Sequence, residues 1–234
     1  MSSYNAVRGR TRQPGVIDPR ARATFSPLDI DGLELWLRAD ALSGYVDTDD
    51  VETWPDESGE GNDATQATEA RRPLYRTNSI NSLPALYFDN SDDGMRSATS
   101  LANPYSVFVV YAQTGANTAR RAVQGVTNNW LIGPYTGFHR LYNGAFITGG
   151  AVAAGTYVYA TVIGTAAGAS FRLNGAAVGN NANTTAPSVL ALGNAGAYNE
   201  RLDGRIAEVI AYSAALSTAD RDLVEAYLAE KYGL

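Results

Sequence analysis

Hydrophobic and polar positions along the chain alternate in short runs of the kind strands produce, separated by glycine, proline and asparagine. Gly32–Arg38 sets Leu33, Leu35 and Leu37 against Glu34, Trp36 and Arg38, which predicts a strand with a leucine-lined inner face. Further strands are expected at Ala85–Phe88, Ser106–Tyr111, Arg121–Val126, Trp130–Gly133, Phe138–Tyr142, Tyr157–Ile163, Ser170–Leu173, Val189–Leu192 and Arg205–Tyr212. Roughly ten to twelve strands in one domain imply two stacked antiparallel sheets. Asn143-Gly144 and Asn174-Gly175 mark hairpin turns of the kind that need positive φ.

Between these runs, Ser43 to Asn81 is polar and too long for a plain loop. Trp54, Pro55 and Pro73 are expected to pin it, and Asp56, Asn62 and Asp63 to fold it through side-chain turns against the first strand. One helix is predicted, at the carboxy terminus. Ser217 caps it, Asp220 stands where a capping-box acid belongs, Leu223, Val224, Tyr227 and Leu228 form an apolar stripe, and Gly233 ends it. A lone terminal helix can bury such a stripe only against a sheet.

Composition agrees with a β-rich chain, since 23 glycines and 14 tyrosines among 234 residues favour turns and strands. With no cysteine there is no disulfide frame and no thiolate chemistry. The amino terminus has no apolar core of a signal peptide, and no stretch approaches the length of a membrane helix. Charge divides the chain. Residues 1–27 carry Arg8, Arg10, Arg12, Arg20 and Arg22 against Asp18 alone, a net of +4, which leaves −10 of the total −6 on residues 28–234. The acidic body is a poor match for nucleic acid. The prolines and arginines of 1–27 read as an extended basic arm suited to pairing with an acidic partner.

The blocks Leu35-Trp36-Leu37-Arg38-Ala39-Asp40, Trp54-x-Asp56-x-Ser58-Gly59-x-Gly61-Asn62-Asp63 and Pro84-Ala85-Leu86-x-Phe88-Asp89 resemble those of the laminin-G-like, concanavalin A-like jelly rolls of bacteria and phages. So do Phe171-Arg172-Leu173-Asn174-Gly175, Asp203-Gly204-x-Ile206-Ala207-Glu208 and Glu225-Ala226-Tyr227-Leu228-Ala229-x-Lys231-Tyr232-Gly233-Leu234, in the same order. One departure is Asn81-Ser82-Leu83 in place of the usual Asn-Gly turn. The resemblance implies an all-β two-sheet sandwich over residues 28–234. It also implies a spread of functions: sugar-binding modules, adhesion domains, appendages of enzymes and parts of phage virions.

Catalysis is not expected. His139 is the only histidine, no nucleophile elbow occurs, and the Glu-x-Asp-x-x-Glu pattern of glucanase-like relatives is absent. Glu208 reads as a carboxylate tying its strand to a nearby backbone or arginine. For a sugar ligand the candidates are Trp130, Tyr135, Phe138, His139, Arg140 and Tyr142, six aromatic or planar polar side chains within thirteen positions; Tyr198, Asn199, Glu200 and Arg201 form a second polar loop. Calcium wants several hard oxygens on a loop, and two stretches offer them: Asp47, Asp49 and Asp50 with Glu52, and Asp89, Asn90, Asp92 and Asp93 before Gly94.

From these features the expected protein is a non-catalytic structural or adhesion component of a tailed phage or phage-like particle. It would be held in an oligomeric assembly of virion proteins by its arm, and would bind cell-surface polysaccharide. A free lectin module is the alternative and a glycoside hydrolase-like enzyme the third. The expected location is the particle surface, after synthesis in the bacterial cytoplasm.

Overall fold

A computed structural model describes residues 25–115, 120–193, 196, 198 and 200–234. In chain order the strands are β1 (Leu33–Arg38), β2 (Thr53–Trp54), β3 (Ala64–Thr65), β4 (Leu74–Ile80), β5 (Leu83–Asp89), β6 (Met95–Leu101), β7 (Tyr105–Gln113) and β8 (Val123–Gly125). They continue as β9 (Leu131–Tyr135), β10 (Phe138–Tyr142), β11 (Phe146–Ala151), β12 (Tyr157–Thr165), β13 (Gly168–Leu173), β14 (Ala176–Asn181), β15 (Ser188–Leu192) and β16 (Asp203–Tyr212), and α1 (Thr218–Tyr232) closes the chain.

Two antiparallel eight-stranded sheets result. The first runs β14-β13-β12-β7-β16-β5-β4 with β1 also paired to β16; the second runs β11-β10-β9-β8-β15-β6-β3-β2. Their facing surfaces enclose a core containing Leu35, Leu37, Trp54, Phe88, Val109, Tyr111, Trp130 and Phe171. A second apolar layer covers the other face of the first sheet, where Trp36, Phe108, Val110, Ile210 and Tyr212 meet Val224, Leu228 and Tyr232 of α1.

Strand sequence follows from this layering. Strand β7, Tyr105–Gln113, is buried at every position because helix and core press on both its faces. Strand β6 alternates buried and exposed along its whole length, because the second sheet has only one covered side at that point.

Several expectations are refined. Leu33, Leu35 and Leu37 do not share a face, because a register shift between Leu33 and Leu35 turns Leu33 toward the helix-side layer with Trp36. Within α1, Leu223 is 47% exposed while Tyr232 is buried. The Ser217 hydroxyl accepts from the Asp220 amide, and Gly233 ends the helix at φ 68°. Asn174 and Gly175 both take positive φ, whereas of Asn143-Gly144 only the glycine does; Tyr142 pairs with Phe146, so that turn holds three residues. Asn81 and Ser82, at φ 46° and 63°, make the turn that usually falls to Asn-Gly.

The polar stretch after β1 is pinned as expected. Trp54 is wholly buried, Asp56 accepts from the Trp36 amide at 2.8 Å, and the Asn62 side chain donates to the Glu34 carbonyl at 2.8 Å. Packing begins before residue 28, since Phe25 lies edge-on to Tyr227 with centroids 6.1 Å apart and the Pro27 carbonyl accepts from the Tyr212 hydroxyl. Arg8, Arg10, Arg12, Arg20 and Arg22 lie outside the described residues.

Candidate functional site

Directly paired residues in an antiparallel sheet share a face, so register alone defines a row across the second sheet: Thr53, Thr65, Arg96, Ala191, Gln124, Leu131, Tyr142 and Phe146. The sequence neighbours of these residues, including Trp54, Ala64, Met95, Val123, Ile132, Leu141 and Ile147, point into the core. The row therefore faces away from the sandwich, on the side that α1 does not cover. At about 4.8 Å per strand, Arg96 and Phe146 stand about 24 Å apart.

The β10–β11 end of this face is aromatic and open. Phe138 and Phe146 are 40% and 41% exposed. Phe146 meets Tyr142 with ring centroids 4.8 Å apart and Tyr135 at 5.1 Å. The Arg140 guanidinium lies 4.9 Å from the Phe146 centroid and 5.5 Å from that of Phe138. Alternation in Phe138–Tyr142 makes this cluster, because odd and even positions go to opposite faces: Phe138, Arg140 and Tyr142 project outward while His139 and Leu141 are buried.

Gly196 lies against Gln124 in the middle of the row. A Cβ on Gly196 would meet the Gln124 side chain at 2.5 Å, so a larger residue here would have to displace that side chain. Glu200 is gripped from two sides, accepting from the Tyr135 hydroxyl at 2.8 Å and pairing with Arg121. Arg121 also reaches Asn129 and stacks 4.2 Å from the Tyr198 centroid. With its hydroxyl donated to a carboxylate, the Tyr135 phenol is held above its ordinary pKa.

Four of the six expected sugar-binding residues, Tyr135, Phe138, Arg140 and Tyr142, thus come together, and two do not. Trp130 is wholly buried between the sheets and donates to the Tyr105 hydroxyl at 2.8 Å, so it presents no face to a ligand. His139 points the same way, with Nδ1 2.8 Å from the Tyr111 hydroxyl, and burial lowers its pKa to about 4. Phe146 was absent from the sequence candidates. The signal for it was the Asn143-Gly144 turn, whose returning strand places Phe146 opposite Tyr142.

Of the two acidic loops, the first does not bring three carboxylates together among the described residues. Asp47 accepts from the Thr77 amide and pairs with Arg76, Asp49 accepts from the Val46 amide, and Asp50 is exposed beside Leu74. In the second, Asp89, Asp92 and Asp93 bring carboxylate oxygens within 4.8 Å of one another, the only such group of three among the described residues. Asp93 is buried, and burial beside Asp89 raises its pKa to about 7.

Glu208 is tied, but not to backbone or arginine. It accepts from Trp36 Nε1 at 2.6 Å, the Tyr227 hydroxyl at 2.9 Å, the Tyr232 hydroxyl at 2.7 Å and Lys231 Nζ at 2.7 Å.

No family model matches the chain, and no curated protein matches it in sequence. Solved structures do resemble it in fold. Domain 4 of AbnA, a GH43 extracellular arabinanase from Geobacillus stearothermophilus solved in complex with arabinotriose, superposes with TM-score 0.59 and 17% identity over 82% of this chain and 98% of that domain. The binding domain of Paraclostridial Mosquitocidal Protein 1 gives 0.60 and 11% over 88% of this chain and 53% of that one. Trypanosoma rangeli sialidase in complex with the inhibitor DANA gives 0.59 and 11% over 84% of this chain, which spans only 33% of the sialidase. At these identities the likeness is one of fold: a jelly-roll sandwich of the concanavalin A-like kind.

Proposed function

We propose that this chain is a non-catalytic carbohydrate-binding module that holds polysaccharide on the outward face of its second sheet. The observation that carries this reading is the open cluster of Tyr135, Phe138, Arg140, Tyr142 and Phe146 on a face left uncovered by α1. Exposed aromatic rings lose water on contact with the apolar faces of sugar rings, and an adjacent guanidinium donates to hydroxyls at the ring edge. Fixed to a sheet and packed on one another, these rings give up little conformational freedom on binding. The fold likeness to AbnA domain 4, which was solved with arabinotriose, supports the same reading.

Binding rather than hydrolysis is favoured by the state of the nearest carboxylate, since Glu200 beside the cluster is already engaged by Arg121 and Tyr135. Hydrolysis with retention needs a pair of carboxyl groups about 5 Å apart flanking the bond to be cut.

The laminin-G-like sequence blocks and the arginine-rich residues 1–27 extend the proposal. The module is carried on the surface of a tailed-phage or phage-like particle, with the arm pairing to acidic surfaces of other virion proteins. Removal of residues 1–24 is expected to abolish incorporation into particles while leaving the fold intact; normal assembly of the truncated chain would refute this part. A glycan array comparing the unaltered protein with Phe146→Ala tests the binding function itself.

A further inference from the structure

At the other end of the same row lies a polar cleft of about 390 Å³, whose lining includes Thr65, Arg71, Asp92, Arg96 and Arg201, a volume in the range of small-ligand sites. Three guanidinium groups face it against the single carboxylate of Asp92, which pairs with Arg71 at 3.4 Å. Among the lining residues this is an excess of positive charge in a body whose net charge is −10, with Asp89 and Asp93 grouped beside Asp92 as nearby counter-charges. One buried polar atom of a lining residue, Arg201 Nε, has no partner among the described residues. Leaving such a donor unpaired is unfavourable, so its pairing with a bound group would favour that group's retention.

We infer that this cleft is an anion subsite, and that the polysaccharide bound along the second sheet is an acidic one whose carboxylate or sulfate group seats between Arg96 and Arg201. The inference rests on the carbohydrate-binding reading and narrows it to a substrate class. Planar guanidinium forks match a carboxylate or sulfate better than they match neutral hydroxyls. A chain bearing many such groups would also be repelled by the rest of this acidic surface, so the arginine cleft sets where along the row it can lie.

Calorimetric titration of the full chain with polygalacturonate, dextran sulfate and unsubstituted dextran tests this, using Arg201→Gln and Arg96→Gln, with thermal melts to confirm that each variant folds. The expected result is that the unaltered protein binds at least one polyanion about tenfold or more tighter than dextran, and that both variants lose about tenfold for the polyanion alone. Polygalacturonate or dextran sulfate as the tighter ligand identifies a carboxylate or a sulfate as the seated group. Equal affinity for dextran and both polyanions, unchanged in the variants, overturns the inference and leaves the carbohydrate-binding function standing. Polyanion binding that both variants retain in full also overturns it, as charge attraction outside the cleft. Absence of binding to all three by a folded protein overturns the inference, while the carbohydrate reading is decided separately by the glycan array.

Discussion

Glu208 and Lys231 meet at 2.7 Å, with the carboxylate only 1% exposed. A register shift between Ile206 and Glu208 turns this side chain out of the inter-sheet core and toward α1. There it collects Trp36, Tyr227 and Tyr232 as further donors, while Lys231 is balanced by Asp40 at 2.8 Å. The helix is thus fastened to the first sheet by a buried charge with a full set of partners.

Replacing Glu208 with alanine leaves three donors, Trp36 Nε1 and the Tyr227 and Tyr232 hydroxyls, without their acceptor, and leaves the Lys231 ammonium with Asp40 as its one carboxylate partner. Loss of about 3–5 kcal/mol in urea unfolding is expected, against less than about 1 kcal/mol for Asp92→Ala, whose partner Arg71 is 58% exposed. Similar losses in the two variants would contradict the role given to Glu208.

Trp130 separates a folding role from a binding one. Its indole fills the core and supplies the hydrogen bond to Tyr105, whose phenol burial raises to a pKa of about 12. Trp130→Ala is expected to cost about 3–5 kcal/mol, whereas Phe146→Ala, on the open face, should change stability by less than about 1 kcal/mol. Chemical denaturation of both variants checks this, and a larger loss for Phe146→Ala would contradict it.

Two buried groups give stability opposing pH dependences. His139 has its pKa lowered to about 4, so between pH 4 and 6.5 the unfolded chain binds the proton that the folded chain refuses, and stability from this group falls as pH falls. Asp93 has its pKa raised to about 7, so between pH 4 and 7 the folded chain keeps a proton that the unfolded chain releases, and stability from this group falls as pH rises. Asp93→Asn is therefore expected to raise stability at pH 8 relative to the unaltered protein and to leave it nearly unchanged at pH 4. His139→Gln should remove the part of the acid-side loss that lies between pH 6.5 and 4. Urea titrations across this range decide, and an Asp93→Asn benefit confined to low pH would contradict the assignment.

Much of the fold was legible because the first sheet is buried on both faces and writes long apolar runs such as Tyr105–Gln113 and Asp203–Tyr212. Strands of the second sheet were harder to read. Met95–Leu101 alternates cleanly, but with serine and threonine at its inner positions, and β2 and β3 are two residues each, too short to leave a period.

The candidate site was legible to the extent that alternation is. Phe138, Arg140 and Tyr142 share a face by spacing alone. Trp130 and His139 could be assigned to the core only once strand register was known, because a one-residue shift exchanges the faces. Arg96 and Arg201, a hundred and five positions apart, converge through the β6–β15 pairing and the segment that follows β15, which no local pattern reveals.

The central claim is that the open face around Tyr142 and Phe146 holds polysaccharide. A glycan array and calorimetric titration of its best hit with the unaltered protein, Phe146→Ala and Tyr142→Ala test this most directly, with thermal melts run alongside. Binding of at least one glycan, weakened about tenfold or more in both variants at unchanged melting temperature, is the expected result, since base-on-ring stacking energies of about 1–3 kcal/mol set the scale for a lost aromatic platform. Uniform blanks, or glycan binding that both variants retain in full, would contradict the account.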